Sequence, residues 1–153
     1  MNALIFGQAG AILLVLAGGE MMTSSTAARP LLLEAGTCSA IDGDTLRCGR
    51  ERVRLLGIDA AERPGHCRQG RVCAPGDPET QRAALQRRMQ TAITIMPVKR
   101  DRYGRMVAII HSAAGTNLSC AMLQAGASYV ARWDDRQAIR RSCSSTVREA
   151  NHL

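Results

Sequence analysis

The chain has 153 residues, 46% hydrophobic and 22% charged, which is the composition of one globular domain and excludes a disordered polymer. Aromatic residues make up only 3%, so the core must be aliphatic, and no run reaches the roughly 18 apolar residues of a membrane span. Twenty basic against thirteen acidic side chains leave +7, a balance that favours polyanionic partners such as nucleic acid.

The first 28 residues differ from the rest. Their only charged side chain is Glu20, so residues 29–153 hold 20 basic and 12 acidic groups and carry +8. Ala11–Ala17 is an apolar run of signal-peptide length, and the small residues Ser24–Ala28 offer a cleavage site. No Lys or Arg precedes the run, which leaves a misassigned start or an uncleaved membrane anchor as alternatives. Gly7, Gly10, Gly18 and Gly19 argue against a buried helix. The expectation is export to the periplasm or the medium, with residues 1–28 as signal or hydrophobic segment and 37–143 as the folded domain.

All six cysteines follow that segment, and an even set in a small exported domain suggests disulfides. Fifteen pairings exist for six cysteines. Local spacing favours some of them: Cys38 and Cys48 flank the turn at Asp42-Gly43-Asp44, and Cys67 and Cys73 bracket a short loop. Cys120 and Cys143 are left as the long-range pair. Zinc held by His66, Cys67 and Cys73 is the weaker account, because no CxxC pair exists.

Along the domain, Thr37 to Asp59 has the pattern of strands broken by turns at Asp42-Gly43-Asp44 and Gly49-Arg50-Glu51. Residues 63–78, with three prolines and three glycines, form an irregular loop. Asp77-Pro78-Glu79 predicts a helix start, and the helix runs to about Gln90 with Ala84, Leu85, Arg88 and Met89 on one face. Strands are expected from Thr91 to Val98 and from Arg105 to Ile110, then a helix from Asn117 that stops at Gly126, and a short helix over 134–142. Strands meandering around a packed helix make a mainly β, α+β domain built as a small barrel with helices at its ends.

Three segments carry chemistry: Ala40–Thr45, Arg54–Glu62 and Asp101–Arg105. Asp44, Asp59 and Glu62 fall at strand ends or turns and are the hard oxygen donors that Ca²⁺ or Mg²⁺ takes. Arg54 and Arg105 supply guanidiniums that can clamp a phosphate. Phosphodiester hydrolysis needs such parts: a polarising cation, a carboxylate to activate water, and cations facing the developing charge. Each tripeptide alone is weak evidence; a DG turn is ordinarily only a hairpin turn.

In this order the three segments resemble the thermonuclease family of staphylococcal nuclease-like domains, over roughly residues 37–133. The resemblance implies an OB-fold five-stranded barrel with about three helices, and a calcium-dependent endonuclease. By position, Asp44 and Asp59 match the metal ligands and Ala60 a ligand that acts through its backbone carbonyl. Glu62 matches the general base, Arg54 and Arg105 the phosphate-binding arginines, Tyr103 the tyrosine beside the nucleotide, and Asp42 an acid supporting the metal site. Ca²⁺ is the implied cofactor, with Mg²⁺ as the alternative, and the partner is DNA, RNA or both. No stable protein partner is implied, and the expected state is a monomer.

The chain departs from the family in three places. Ala61 stands where the family has a proline before the glutamate, the cysteine-bracketed loop is unusual, and the further nucleotide-pocket tyrosine has only Tyr129 and Trp133 as candidates. The rival readings are a nucleic-acid-binding OB module whose catalysis has lapsed and an envelope-anchored interaction protein.

Overall fold

Two tight turns shape the first half of the domain in the computed structural model, which describes residues 29–150; the leader at 1–28 and His152 lie outside the described residues. After a short strand β1 (Leu31–Leu33), strands β2 (Cys38–Ala40) and β3 (Thr45–Cys48) pair antiparallel with Cys38 opposite Cys48. The chain reverses between them through an Asx-type turn in which the Asp44 N–H donates to Asp42 Oδ1 at 3.0 Å. Only glycine fits at its apex: a Cβ on Gly43 would lie 2.7 Å from that of Ala60 and 2.9 Å from that of Gln81. Between β3 and β4 (Glu51–Leu55) the two-residue link Gly49-Arg50, with Gly49 at φ +60°, is a hairpin turn that needs a left-handed first residue.

The remaining elements are β5 (Ile58–Asp59), α1 (Pro78–Arg88), β6 (Ile93–Arg100), β7 (Met106–Ser112), α2 (Leu118–Gln124), β8 (Ser128–Tyr129), α3 (Ala138–Ser142) and α4 (Ser144–Ala150). Six strands form a curled half-barrel in the order β1-β6-β7-β4-β3-β2, in which β4 and β7 are the parallel pair. A separate β5–β8 ribbon joins Asp59 to Ser128. This is an α+β, OB-fold-like domain. Among the described residues it has more strands than the five expected and four α-helices in place of about three, because β1, β8 and α4 carry no strong local signal.

Helix α1 starts as its sequence dictates: Asp77 caps the Thr80 N–H at 2.6 Å, and Pro78 takes the first turn, where no donor is needed. It ends at Arg88 and buries Gln81, Ala84 and Leu85. The helix expected over 134–142 is shorter. Arg136 and Gln137 adopt left-handed φ values of 51° and 54°, so regular helix begins only at Ala138. Asp134 makes that break workable by accepting the Ile139 and Arg140 N–H groups and the Tyr129 hydroxyl, each at 2.9 Å.

The core is aliphatic, as the composition requires. Leu46, Leu55, Leu56, Ile58, Leu85, Ile110, Leu118 and Ile139 are fully buried, and among the aromatics of the described residues Tyr129 alone packs at the core's edge. Removing one such leucine typically costs about 2–5 kcal/mol. Disulfides join Cys38 to Cys48, Cys67 to Cys73 and Cys120 to Cys143, so no cysteine among the described residues is free. The zinc alternative falls with that pairing, since Cys67 and Cys73 spend their sulfurs on each other. Three disulfides in so small a domain are consistent with an oxidising compartment. Among the described residues no helix is long and apolar enough to cross a membrane.

Candidate active site

The register of β3 on β4 builds the centre of the site. Thr45 lies opposite Arg54, and the Leu55 N–H donates to the Asp44 carbonyl at 2.8 Å, so Arg54 leaves the sheet beside Asp44. Its guanidinium then forks. Nη1 donates to Asp44 Oδ1 at 2.8 Å, and Nη2 donates to Asp59 Oδ1 at 3.1 Å and to the Ile58 carbonyl at 3.2 Å. One arginine thus bridges two buried aspartates that are 15 residues apart in sequence.

Asp44 is also held by the Thr45 hydroxyl at 2.8 Å and by the Ala60 N–H at 3.1 Å. Burial pushes its carboxyl up to about 6, against the lowering effect of Arg54, and neighbouring Asp42 adds to the rise. Asp42 reaches the site through the turn, as the acceptor that fixes the Asp44 backbone. Ala60 meets Asp44 through its N–H.

Glu62 lies at the mouth, its side chain about one-third exposed, with its Oε1 3.5 Å from Arg71 Nη1. The missing proline before it has a structural counterpart. The Ala61 N–H, which a proline would lack, donates to Gln81 Oε1 at 2.8 Å, and Ala61 bridges to Ala74 across the loop. Gln81 is buried and donates from its other end to the Pro75 and Gly126 carbonyls at 3.3 and 3.0 Å. A hydrogen bond to α1 therefore fixes the Ala61 backbone just before Glu62.

Arg105 stands at the foot of the β6–β7 hairpin. Its Nε donates to Asp101 Oδ2 at 2.8 Å, and Asp101 also takes the Tyr103 and Arg105 N–H groups. Burial alone would raise the Asp101 carboxyl; Arg105 and those two N–H groups bring it below the usual carboxylate range. Tyr103 is exposed at the hairpin tip. Its hydroxyl accepts from Arg102 at 2.7 Å, which draws its pKa down, and the Arg102 guanidinium covers its ring at 4.9 Å.

Most of these groups line two clefts of about 670 and 340 Å³, which share Arg54, Glu62, His66 and Arg105 as a common wall, while Asp59 is buried and joins the site through Arg54 and Arg71. The larger is basic and carries two aromatics, Tyr103 and Trp133; the smaller holds Asp42, Asp44 and Ala60. The residues expected from the sequence are thus brought together. Of the two aromatic candidates, Trp133 faces the cleft under the guanidiniums of Arg54 (4.9 Å), Arg71 (5.4 Å) and Arg132 (5.1 Å). Tyr129 instead serves Asp134. Sequence reasoning missed Gln81 and Arg71.

Asp44 and Asp59 are the groups that could hold a cation. They fit a hard divalent ion in kind, being buried ionisable oxygens close enough for one guanidinium to span. No cluster of three or more Asp, Glu, His or Cys side chains gathers at metal-binding distance among the described residues, so backbone or water oxygens would complete the shell.

Residues 52–152 match the family described as staphylococcal nuclease homologue. The chain belongs to that family. The match takes in Arg54, Asp59, Glu62, Tyr103 and Arg105, while Asp42 and Asp44 lie before it and join the site through the β3–β4 register. A similar protein is the "Succinoglycan biosynthesis protein ExoI" of Rhizobium meliloti (strain 1021). It is 30% identical over 138 residues, spanning 88% of this chain and 69% of that protein.

Proposed function

We propose that this family member is an exported phosphodiesterase that cleaves DNA, and RNA with it, using a hard divalent cation, Ca²⁺ before Mg²⁺. What carries the reading is the convergence of Arg54, which bridges buried Asp44 and Asp59, with Glu62 and Arg105 where a basic cleft and a smaller acidic one adjoin. A domain that only bound nucleic acid would have no use for three carboxylates that repel phosphate.

In this reading Asp44 and Asp59 hold the cation, which when bound supplies Lewis-acid charge against a phosphoryl oxygen. Glu62, accessible at the cleft mouth, accepts the proton of the attacking water and places the resulting nucleophile in line with the phosphorus. Arg105, pre-oriented by Asp101, faces the charge that develops on the phosphoryl oxygens, and Arg54 contributes its fork from the cleft floor. Tyr103 at the hairpin tip and Trp133 under the arginines offer flat surfaces for the adjoining bases. The surplus of +8 over residues 29–153 draws the polyanion in and makes binding salt-sensitive.

A binding module with lapsed catalysis is the second reading, favoured by one observation: both Asp59 oxygens are engaged by arginines. Digestion of DNA by the purified chain with Ca²⁺, with Mg²⁺ and with chelator separates the two. Cleavage that chelator abolishes supports the nuclease; retention of DNA without cleavage under every condition supports the binding module.

A further inference from the structure

The loop closed by Cys67 and Cys73 directs one side chain inward. Val72 faces water at 96% exposure and the exposed Arg68 reaches along the cleft rim to the Tyr103 hydroxyl at 3.4 Å, whereas the Arg71 side chain is only 29% exposed and turns to the buried carboxylates. A turn from the Arg71 N–H to the Arg68 carbonyl, 3.0 Å, sets its direction. The disulfide and the Ala61–Ala74 bridge anchor the loop beside the strand segment that leads to Glu62. Arg71 Nη2 donates to Asp59 Oδ2, and Nη1 lies 3.5 Å from Glu62 Oε1.

Arg54 already occupies Asp59 Oδ1, so Arg71 takes the remaining oxygen. The three carboxylates Asp44, Asp59 and Glu62 thereby face two fixed guanidiniums, and a divalent ion seeking Asp59 meets a cation already hydrogen-bonded there. Trp133 lies against Arg71 as well as Arg54, which offers the displaced guanidinium an aromatic face within the same cleft.

We propose that Arg71 is a positioning residue that sets the cation affinity of the site: it competes with the divalent ion for Asp59 and, once displaced, remains beside Glu62 facing the phosphate cleft. The Cys67–Cys73 disulfide supports this by keeping the competing guanidinium at high local concentration. The inference rests on the reading of Asp44 and Asp59 as cation ligands.

Titration calorimetry of Ca²⁺ into the full disulfide-bonded chain tests it, comparing wild type with Arg71→Gln, Arg71→Lys and Cys67→Ser/Cys73→Ser. Arg71→Gln should bind Ca²⁺ roughly 10- to 100-fold more tightly, the worth of one charge-assisted hydrogen bond. Arg71→Lys, which keeps the charge without the fork, should fall between, and so should the opened loop. A merely structural role for Arg71 predicts unchanged or weaker binding in all three variants, and that result overturns the proposal, as does absence of Ca²⁺ binding in both wild type and Arg71→Gln. Cleavage of DNA is read separately. Tighter Ca²⁺ binding without cleavage by any form leaves the inference standing and removes the nuclease; Ca²⁺-dependent cleavage by wild type with no affinity gain in Arg71→Gln does the reverse.

Discussion

Two arginines reach the same aspartate by different routes. Arg54 is placed by sheet register: it grows from a central strand, with Val53 and Leu55 buried on either side, and its side chain is 13% exposed. Arg71 is placed by a covalent staple and one β-bridge, in a loop whose other residues are mostly in water. The β2–β4 meander therefore fixes its charges as tightly as the core itself, while the loop holds its charge only by contacts that a competing ion can replace. Rigid support suits ligands and phosphate clamps; an exchangeable support suits an occupant that must move.

The difference should appear most strongly in stability. Arg54→Ala strands Asp44 as a buried carboxylate without its ion partner, a loss typically of about 3–5 kcal/mol. Urea unfolding followed by circular dichroism should show it, together with loss of activity. Arg71→Gln, part-exposed, should change the midpoint little, by about 1 kcal/mol at most. Equal losses in the two variants would erase the distinction between the regions.

The staples come next. In the chain-entropy treatment, opening Cys120–Cys143, with its separation of 23 residues, removes about 3 kcal/mol, and opening Cys67–Cys73, with its separation of 6, about 2 kcal/mol. Thermal unfolding of the paired serine variants should give that order. The reverse order would mean that the loop, rather than the α2–α3 contact, is the firmer part.

A smaller effect is expected where the regions meet. Ala61→Pro restores the residue usual in the family but deletes the N–H that Gln81 accepts, leaving a buried amide oxygen unpaired at a cost of about 1–3 kcal/mol. A variant more stable and more active than wild type would show that the Gln81 tether does not substitute for the ring. The smallest effect belongs to Arg136→Gln. That side chain is 91% exposed and outside both clefts, so turnover should be unchanged and only the salt dependence of binding should soften slightly.

What was legible in the sequence follows the same division. Turn chemistry revealed the meander, because Asp42-Gly43-Asp44 and Gly49-Arg50 state their geometry locally, and Asp77-Pro78 announced α1 for the same reason. The acidic and arginine residues of the site fell within Ala40–Thr45, Arg54–Glu62 and the hairpin at Asp101–Arg105. Strand β1 was not legible: its three leucines lack alternation, and two of them are exposed. Helix α4 was missed because its sequence has little apolar period; Cys143 and Val147 join the core through tertiary contact and the disulfide to α2. Arg71 was hidden among Arg63 and Arg68, since nothing in composition tells which loop arginine turns inward; the flanking cysteines were the only signal. Gln81 was hidden because a glutamine on a polar helix reads as surface.

The central claim is that Glu62 activates water at a cation-loaded phosphodiester. It is tested most directly by comparing Glu62→Gln with wild type in two measurements on one DNA duplex: Ca²⁺-dependent cleavage, and binding in chelator. The account predicts that turnover falls roughly 10²–10⁴-fold, the usual worth of a general base, while DNA affinity holds. Equal cleavage by the two proteins, or DNA binding by wild type with no cleavage in either Ca²⁺ or Mg²⁺, would contradict it.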